Sequence, residues 1–344
     1  MSASSDALKF WGLQDVQAKP YGSGLINDTY LVTTVTGKQF ILQGLNSVFL
    51  PEVNIDIDLL TRHLEKKGSA TQRLVTTDKG KLWVESGGRS WRMSTYVPGI
   101  CLNMLETNLQ AYAAGRLLGC FHEGVQDLQI DLHTERLGVH DTARHLRALE
   151  DALVTHAEHR HIADIEPLAQ KILTEAEKLP ALPKLPDRLV HGDPKISNLV
   201  FDVESGKGIC MIDLDTLTHM PLPLELGDAF RSWCNPRGED TQCSAFRLDL
   251  FSAAIGGYAE VTAEFVTEDE WQAFVPATRT IMIELAARFT TDALNESYFG
   301  WSPDIFPDQS THNQVRALGQ LDLYRSLNDQ FGAAQKLVEQ AFTH

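Results

Sequence analysis

Two polar motifs interrupt a largely apolar part of the chain, and they constrain its fold more than any other feature. The first is His191-Gly-Asp-Pro-Lys-Ile-Ser-Asn198, and the second is Met211-Ile-Asp-Leu-Asp-Thr216. A short apolar run follows the first motif, another leads into the second, and the turn-forming residues 204–207 separate the two runs. This arrangement predicts a β-hairpin that brings Asn198 and Asp213 close together.

The residue types in this hairpin match the requirements of phosphoryl transfer. That reaction needs a base near the attacking hydroxyl group and oxygen ligands that hold Mg²⁺ against the nucleotide phosphates. In an H-x-D-x-x-x-x-N loop followed by an aspartate on a strand, the first aspartate is the base, and the other two groups reach the metal. We therefore predict Asp193 as the base and Lys195 as the cation that meets the transferred phosphate. Asn198 and Asp213 are the predicted metal ligands, with assistance from Asp215.

An alternative is that these residues are ordinary polar groups of loops and caps, since H-x-D alone occurs often by chance. The complete loop pattern, the hairpin and the second aspartate must all coincide under that alternative, which disfavours it.

Composition excludes several classes of function. The formal net charge of −16 argues against a nucleic-acid or anionic-membrane partner, because such partners require clustered Lys and Arg. No segment approaches the roughly 18 apolar residues of a membrane span. The N-terminus lacks the basic and then apolar pattern of a secretory signal. The five cysteines show no metal-binding spacing, and we expect reduced thiols in a cytoplasmic protein.

The first hundred residues read as strands around one helix. Residues 30–34 and 39–43 predict one hairpin, residues 81–85 and 90–96 predict another, and residues 53–64 predict a helix between them. A sheet with one helix is the shape of a kinase N-terminal lobe.

Helical patterns dominate the remainder of the chain. Tyr96-Val-Pro-Gly99 would break the last strand and form a hinge, and helices are predicted within residues 109–122, 142–178 and 244–298. With 344 residues the chain is long enough for two cores. We therefore predict an α+β, bilobal, protein-kinase-like fold. Its small, mainly β N-terminal lobe spans residues 1–97, and its larger, mainly helical C-terminal lobe spans residues 98–344.

A glycine-containing segment at residues 21–30 leads into the first predicted hairpin. Glycines there would let backbone N–H groups approach phosphate oxygens, although a plain hairpin turn would look the same. The predicted nucleotide contacts are Gly22, Ser23, Gly24, Asn27, Thr29, Gln43 and Tyr96.

Gln43 departs from the kinase pattern. Protein kinases place a lysine on the third strand, held by a glutamate of the following helix, to bind the α- and β-phosphates. Gln43 could donate a neutral hydrogen bond, Lys38 or Arg62 could substitute, or Gln43 could be only a polar strand end.

Two further residues are predicted to support the site without taking part in the chemistry. His191 would order the loop through hydrogen bonds, because Asp193 already occupies the base position. Asp228, in a segment that opens a helix at about Leu224, would accept backbone N–H groups and brace the loop, or act as a simple helix cap.

The motifs resemble those of the aminoglycoside phosphotransferase and choline kinase group, and most closely those of the N-acetylhexosamine 1-kinases. The resemblance to the wider group rests on Gly22-Ser-Gly24, Leu118-Gly-Cys-Phe-His122, Leu226-Gly-Asp228, the hinge and the two hairpin motifs. The closer resemblance rests on Gly24-Leu-Ile-Asn-Asp-Thr-Tyr-Leu-Val-Thr-Thr34, Phe40-Ile-Leu-Gln-Gly-Leu-Asn46 and Met211-Ile-Asp-Leu-Asp-Thr216. It implies ATP and Mg²⁺ as cofactors and makes Gln43 a trait of the subfamily. It also implies that Arg288 and Tyr298, together with Asp193, contact the sugar. The alternative for both is a helix whose Arg stem packs on the core.

Together with this resemblance, the residues predict a kinase that phosphorylates a sugar, with the anomeric hydroxyl of an N-acetylhexosamine or a related hexose as the preferred acceptor. The expected partner is a small-molecule sugar bound by a monomer or homodimer. One alternative is a kinase for an amino alcohol, homoserine or an aminoglycoside, although Arg288 disfavours a cationic acceptor. Another is an inactive nucleotide-binding scaffold, which the missing lysine would favour and the intact catalytic residues disfavour.

Overall fold

The computed structural model describes residues 3–22, 27–135 and 138–343. Its N-terminal part contains a five-stranded antiparallel sheet in the order β1-β2-β3-β5-β4. The strands are β1 (Gln17–Pro20), β2 (Asp28–Thr33), β3 (Gln39–Gly44), β4 (Trp83–Ser86) and β5 (Arg89–Thr95). Helix α1 (Ala3–Leu8) precedes the sheet, and α2 (Val53–Lys66) joins β3 to β4. Both predicted hairpins and the predicted helix between them are confirmed.

The two faces of this sheet differ in character. Trp91 and Met93 of β5 pack into an apolar cluster with Trp11 and the inward-facing residues of β2 and β3. Because side chains alternate along a strand, Arg92 projects from the opposite face. Thr29 pairs with Gln43, and Gln43 pairs with Arg92, in adjacent registers. We call these three residues the polar row.

A short strand, β6 (Ile100–Cys101), follows the predicted hinge and pairs with β8 (Leu199–Phe201). The approach is close: a Cβ atom on Gly99, whose φ is +156°, would lie 2.6 Å from Val200 Cγ1 and 2.7 Å from the Phe201 carbonyl oxygen. The chain therefore enters the second part of the molecule in contact with the catalytic hairpin.

The second part is mainly helical. Its helices are α3 (Asn108–Val125), α4 (Thr142–Thr155), α5 (Ile162–Ala176), α6 (Leu222–Trp233), α7 (Leu248–Thr262), α8 (Glu268–Gln272), α9 (Phe274–Asn295), α10 (Gln309–Asp329) and α11 (Phe331–Thr343). Its other strands are β7 (Asp187–Val190), β9 (Gly208–Met211) and β10 (Thr218–Pro221). Helix α9 lies buried among α4, α5, α6 and α10. No described helix is long and apolar enough to cross a membrane.

The architecture confirms the predicted α+β division into a small sheet-rich part and a larger helical part. Helices α10 and α11 were not predicted. The exact lobe boundary, between residues 97 and 98, stays a prediction.

Candidate active site

The catalytic loop, residues 191–198, connects β7 to β8. Lys195 Nζ donates a hydrogen bond to Asp193 Oδ2 at 2.5 Å, and Asn198 Nδ2 donates to the same oxygen at 3.3 Å. Asn198 Nδ2 also donates to the backbone carbonyl of Asp193 at 2.9 Å. Burial alone would lower the pKa of Lys195, but the charges of Asp193 and, more weakly, Asp213 raise it above its ordinary value. The structure thus places a fixed carboxylate beside a stable cation.

The backbone of this loop is held by a buried glutamate. Glu225, in the first turn of α6, accepts hydrogen bonds from the N–H groups of His191 and Gly192, each at 3.0 Å. The ring of His191 bonds the carbonyl of Ile212 through Nε2 at 2.9 Å, as expected for a residue that orders the loop. Trp233 at the end of α6 donates to the carbonyl of Pro194 at 2.8 Å.

The structure contradicts the prediction that Asp228 lies near the start of a helix and accepts backbone N–H groups to support the loop. Helix α6 begins at Leu222, so Asp228 lies in its middle, where the side chain pairs with Arg231 at 2.9 Å. Burial would raise the pKa of Asp228, but the charges of Arg231 and His140 lower it below its ordinary value. Glu225, which sequence analysis missed, supports the loop instead. A lone carboxylate in the apolar run Leu222-Pro-Leu-Glu-Leu226 is the signal that could have revealed it.

The second motif forms an acidic turn, residues 213–216, directly beside the catalytic loop. The N–H of Ile212 donates to the carbonyl of Asn198 at 2.9 Å, which confirms that the hairpin brings Asn198 and Asp213 together. Asp213 adopts a left-handed conformation, with φ 64° and ψ 50°, and a 3₁₀ turn over Leu214–Thr216 follows. Such strained positions in non-glycine residues are typical of functional sites.

Asp213 and Asn198 present oxygens suited to a magnesium ion. No described residue donates a hydrogen bond to the Asp213 carboxylate or to Asn198 Oδ1. Burial and the nearby charge of Asp215 raise the pKa of Asp213, and the charges of Lys195 and Arg92 only partly oppose this. A half-buried carboxylate that receives no hydrogen bond from the described residues fits a cation partner. Within the described residues no group of three His, Cys, Asp or Glu could hold a metal alone. This agrees with Mg²⁺ sites that use one or two carboxylates together with nucleotide phosphates.

The carboxylate of Asp215, unlike that of Asp213, already accepts hydrogen bonds from described residues. Arg92 binds both of its oxygens, with Nη2 at 2.8 Å from Oδ2, and Asn27 Nδ2 donates to Oδ2 at 2.9 Å. The two charged side chains are almost fully buried. The predicted role of Asp215 as an assisting metal ligand is therefore disfavoured, because Arg92 and Asn27 already engage it.

The polar row connects this ion pair to the sheet. Arg92 Nε donates to Gln43 Oε1 at 2.9 Å, and Gln43 Nε2 donates to Thr29 Oγ1 at 3.3 Å. Neither predicted substitute for the third-strand lysine lies here. Lys38 covers the ring of Phe40 on the exposed hairpin, and Arg62 pairs with Asp58 on the exposed side of α2.

Of the remaining predicted nucleotide contacts, Gly22 and Tyr96 belong to the part of the chain that the structure describes. Gly22 has a φ of +80°, which favours glycine, whereas Ser23 and Gly24 lie outside the described residues. Tyr96 contacts Tyr21 edge-on, with ring centroids 6.0 Å apart, and a hydrogen bond between them raises the pKa of Tyr21 to about 12. Tyr96 of the hinge thus lies against Tyr21, the residue before Gly22.

A second set of charged residues lies beyond Asp228. Glu284 of α9 accepts from His140 Nδ1 at 2.9 Å and from Thr142 Oγ1 at 2.7 Å. Burial would lower the pKa of His140, but Glu284 raises it above its ordinary value. Arg231 bridges Asp228 and Glu239. Each of these carboxylates is already paired.

Arg288 belongs to this set, and Tyr298 lies farther out. The charge of Arg288 acts on both Asp228 and His140, and its guanidinium lies 5.7 Å from the centre of the Phe299 ring. Phe299 in turn contacts Tyr298, which is 63% exposed. The structure therefore brings Arg288 toward the Asp228 side of the site and separates it from Tyr298 by an aromatic ring. We call His140, Asp228, Arg231, Glu284, Arg288 and Phe299 the acceptor region, after the acceptor-binding role that the sequence predicts for Arg288.

Several solved structures with a similar fold are described as small-molecule kinases or phosphotransferases. A microcompartment-associated aminopropanol kinase shares 14% identity and a TM-score of 0.65, covering 96% of this chain and 97% of its own. A choline kinase from Cryptosporidium parvum shares 15% identity and a TM-score of 0.61, covering 95% of this chain and 94% of its own. An aminoglycoside phosphotransferase from Alicyclobacillus acidocaldarius shares 14% identity and a TM-score of 0.57, covering 98% of this chain and 94% of its own. These likenesses confirm the predicted kinase-like fold.

The family model described as the phosphotransferase enzyme family matches residues 17–263, which is more than half of the chain. That region includes the polar row, the catalytic loop, Glu225 and the acidic turn. The chain belongs to the phosphotransferase enzyme family.

Proposed function

We propose that this phosphotransferase is an ATP- and Mg²⁺-dependent kinase of a neutral sugar. The preferred acceptor is an N-acetylhexosamine or a related hexose, phosphorylated at its anomeric hydroxyl. The observation that carries the proposal is the Asp193 carboxylate, held by Lys195 and Asn198 next to the available carboxylate of Asp213.

In this proposal the residues divide the work between proton transfer and positioning. Asp193 accepts the proton of the attacking hydroxyl, and Lys195 offsets the negative charge that moves with the phosphoryl group. Asn198 and Asp213 would hold Mg²⁺, which supplies charge neutralisation on the β- and γ-phosphates. Asp193 is held in one orientation because Lys195 and Asn198 both donate hydrogen bonds to its carboxylate.

Two observations support the cofactors. The donor set of Asp213 and Asn198 fits an oxygen-preferring cation. Among the similar structures, an amicoumacin kinase is described with AMP-PNP and Ca²⁺; it shares 15% identity and a TM-score of 0.60, covering 89% of this chain and 88% of its own. We infer that ATP and Mg²⁺ bind beside the catalytic loop and the acidic turn of this chain.

The acceptor region favours a neutral polyol over an ammonium group. A cationic acceptor needs an unpaired carboxylate or an aromatic box. Here Asp228 is paired with Arg231, and Glu284 is paired with His140. Arg288 adds a further positive charge beside them. Guanidinium donors suit hydroxyl and carbonyl oxygens, which a sugar and its acetamido group present.

The second candidate is a kinase of an amino alcohol, homoserine or an aminoglycoside. It is favoured by the described activities of the similar structures, which include aminopropanol and choline kinases. The pairing of the carboxylates in the acceptor region argues against it.

An acceptor panel tests the proposal. The protein would be incubated with Mg·ATP and either N-acetylhexosamines, hexoses, choline, aminopropanol, homoserine or kanamycin, and ADP release would be measured. We expect turnover with a hexosamine, and the product should lose its reducing end because the anomeric hydroxyl is phosphorylated. Turnover confined to the cationic alcohols would overturn the proposal, and a phosphorylated sugar that still reduces would exclude the anomeric position.

A further inference from the structure

The cation that the third strand lacks is present on the neighbouring strand. We propose that Arg92 is a positioning residue that replaces the strand lysine: it holds Asp215 and thereby fixes the acidic turn that carries Asp213. This inference rests on the proposed magnesium-dependent reaction and assigns a residue that the family motifs do not include.

The hydrogen-bond geometry places Arg92 where the lysine would act. Gln43 occupies the lysine position, and its amide oxygen accepts from Arg92 Nε at 2.9 Å. Asn54, in the first turn of α2, lies 3.5 Å from Arg92 Nη1. Two neutral amides therefore flank a guanidinium, where a protein kinase has a lysine and a glutamate.

Among the described residues of the helical part, Asp215 is the carboxylate that accepts hydrogen bonds from Arg92. Arg92 and Asp215 are separated by 123 residues and join β5 to the 3₁₀ turn after Asp213. Arg92 is 4% exposed and Asp215 is 3% exposed, so solvent screens the pair little. Two parallel N–H···O bonds also fix the orientation of the carboxylate, which a lysine could not do.

This contact restrains the metal ligand through the backbone. Asp213 occupies a left-handed conformation that costs free energy, so the surrounding structure must maintain it. Asp215 lies two residues farther along the same turn, where Arg92 and Asn27 donate hydrogen bonds to its carboxylate from the side of the sheet. Loss of these hydrogen bonds would let the turn change conformation and would move the Asp213 oxygens.

Gln43 acquires a different role from the one predicted by sequence. Its amide oxygen receives Arg92 and its amide nitrogen is directed to Thr29. Gln43 therefore orients the guanidinium and does not itself contact the nucleotide.

Nucleotide binding with and without metal tests this inference independently of the acceptor. We would compare the binding of AMP-PNP by calorimetry in Mg²⁺ and in EDTA for the wild type and for Arg92→Met/Asp215→Leu. An apolar replacement of both partners removes the pair without leaving a buried charge, so the fold is expected to survive. Loss of support around a metal ligand typically weakens metal affinity about 10- to 100-fold. We expect a loss of that size for Mg·AMP-PNP and little change in EDTA.

Arg73→Met/Asp58→Leu is the matched control. That pair also lies in the sheet-rich part, with N and O atoms 3.2 Å apart, and it does not contact the acidic turn. We expect unchanged binding in both conditions. Wild-type affinity for Mg·AMP-PNP in the Arg92 double variant would overturn the proposal, and so would an equal loss with and without Mg²⁺.

Two single variants sharpen the assignment. Arg92→Lys keeps the charge but loses the two-point contact, and we expect an intermediate loss that appears only with Mg²⁺. Gln43→Leu should behave in the same way with a smaller loss, whereas weakened binding in EDTA would show a direct nucleotide contact and refute the orienting role. The two proposals can fail separately. If no sugar is phosphorylated but the Arg92 variants lose Mg·AMP-PNP affinity as expected, the proposed acceptor is rejected and the proposed role of Arg92 is retained.

Discussion

The catalytic loop and the acceptor region are built in opposite ways. In the loop, Asp193, Lys195 and Asn198 lie within six residues of one another and share hydrogen bonds, and Glu225 fixes the backbone beneath them. In the acceptor region, Arg288, His140 and Asp228 come from three distant segments. The residues of the catalytic loop therefore come from one short stretch of chain, whereas the residues of the acceptor region are brought together by the packing of several helices.

Replacement of the base should give the largest effect. Asp193→Asn removes the proton acceptor but keeps the shape of the side chain, so we expect kcat to fall about 10²- to 10⁴-fold. Calorimetry should show retained Mg·AMP-PNP binding. Asp202→Asn, at the tip of the same hairpin, is the control and should keep wild-type turnover. Unchanged turnover in Asp193→Asn would break the assignment of the loop.

Loss of the support beneath the loop should come next. Glu225→Ala leaves the N–H groups of His191 and Gly192 buried without acceptors, which costs about 3 kcal/mol of unfolding free energy. Urea unfolding would measure this loss. The exposed pair of Glu260 and Arg116 provides a control, since Glu260→Ala should cost less than about 1 kcal/mol. Equal losses in the two variants would show that the loop is not held through Glu225.

A change in the acceptor region should be smaller and selective. Arg288→Met keeps the apolar bulk of the stem but removes the hydrogen-bond donors and the guanidinium that lies over Phe299, so we expect the acceptor KM to rise about tenfold, as for a lost charge-assisted hydrogen bond. The KM for ATP should not change. Arg279→Met, on the same helix but against Tyr324 and Phe331, should leave both constants unchanged. A rise in the KM for ATP alone would place Arg288 outside the acceptor site.

The smallest effect should be a dependence of stability on pH. Despite burial, Glu284 raises the folded-state pKa of His140 above its ordinary value of 6.5, while Asp228 adds to this and Arg288 opposes it. Protonation therefore favours the folded state. The contribution is complete below about pH 6.5 and is lost as pH rises through the folded-state pKa. Urea unfolding of the wild type and His140→Gln should differ most at low pH, and a constant difference would contradict the ion pair.

The parts that sequence predicted are those set by neighbouring residues. The hairpins, α2 and the positions of Asp193, Asn198 and Asp213 follow from local alternation, turn residues and motif spacing. Helix α6 begins two residues earlier than expected, and that shift moved the supporting role from Asp228 to Glu225. A boundary error of this size is small in sequence but decisive for which carboxylate faces the loop.

Arg92 escaped prediction for a different reason. In Ser90-Trp-Arg-Met-Ser94 it alternates with Trp91 and Met93, which indicates an inward-facing charge on the second face of the sheet. Its partner lies 123 residues away, and no local pattern identifies it. Arg288 was found only through resemblance, and the ring that separates it from Tyr298 follows from tertiary packing. The cytoplasmic location and the oligomeric state stay predictions.

Gly192 gives the active site a property that bears on protein engineering. Its φ is +82°, and a Cβ atom there would lie 2.0 Å from the carbonyl oxygen of Thr216. Thr216 Oγ1 also donates to the carbonyl of His191 at 2.9 Å. The catalytic loop and the acidic turn are thus in direct contact at Gly192, with no space for a side chain between them. Under the proposed role of Arg288, a designer who wants a new acceptor would change the helices around Arg288, whereas a change in the backbone of the loop would also require a new turn.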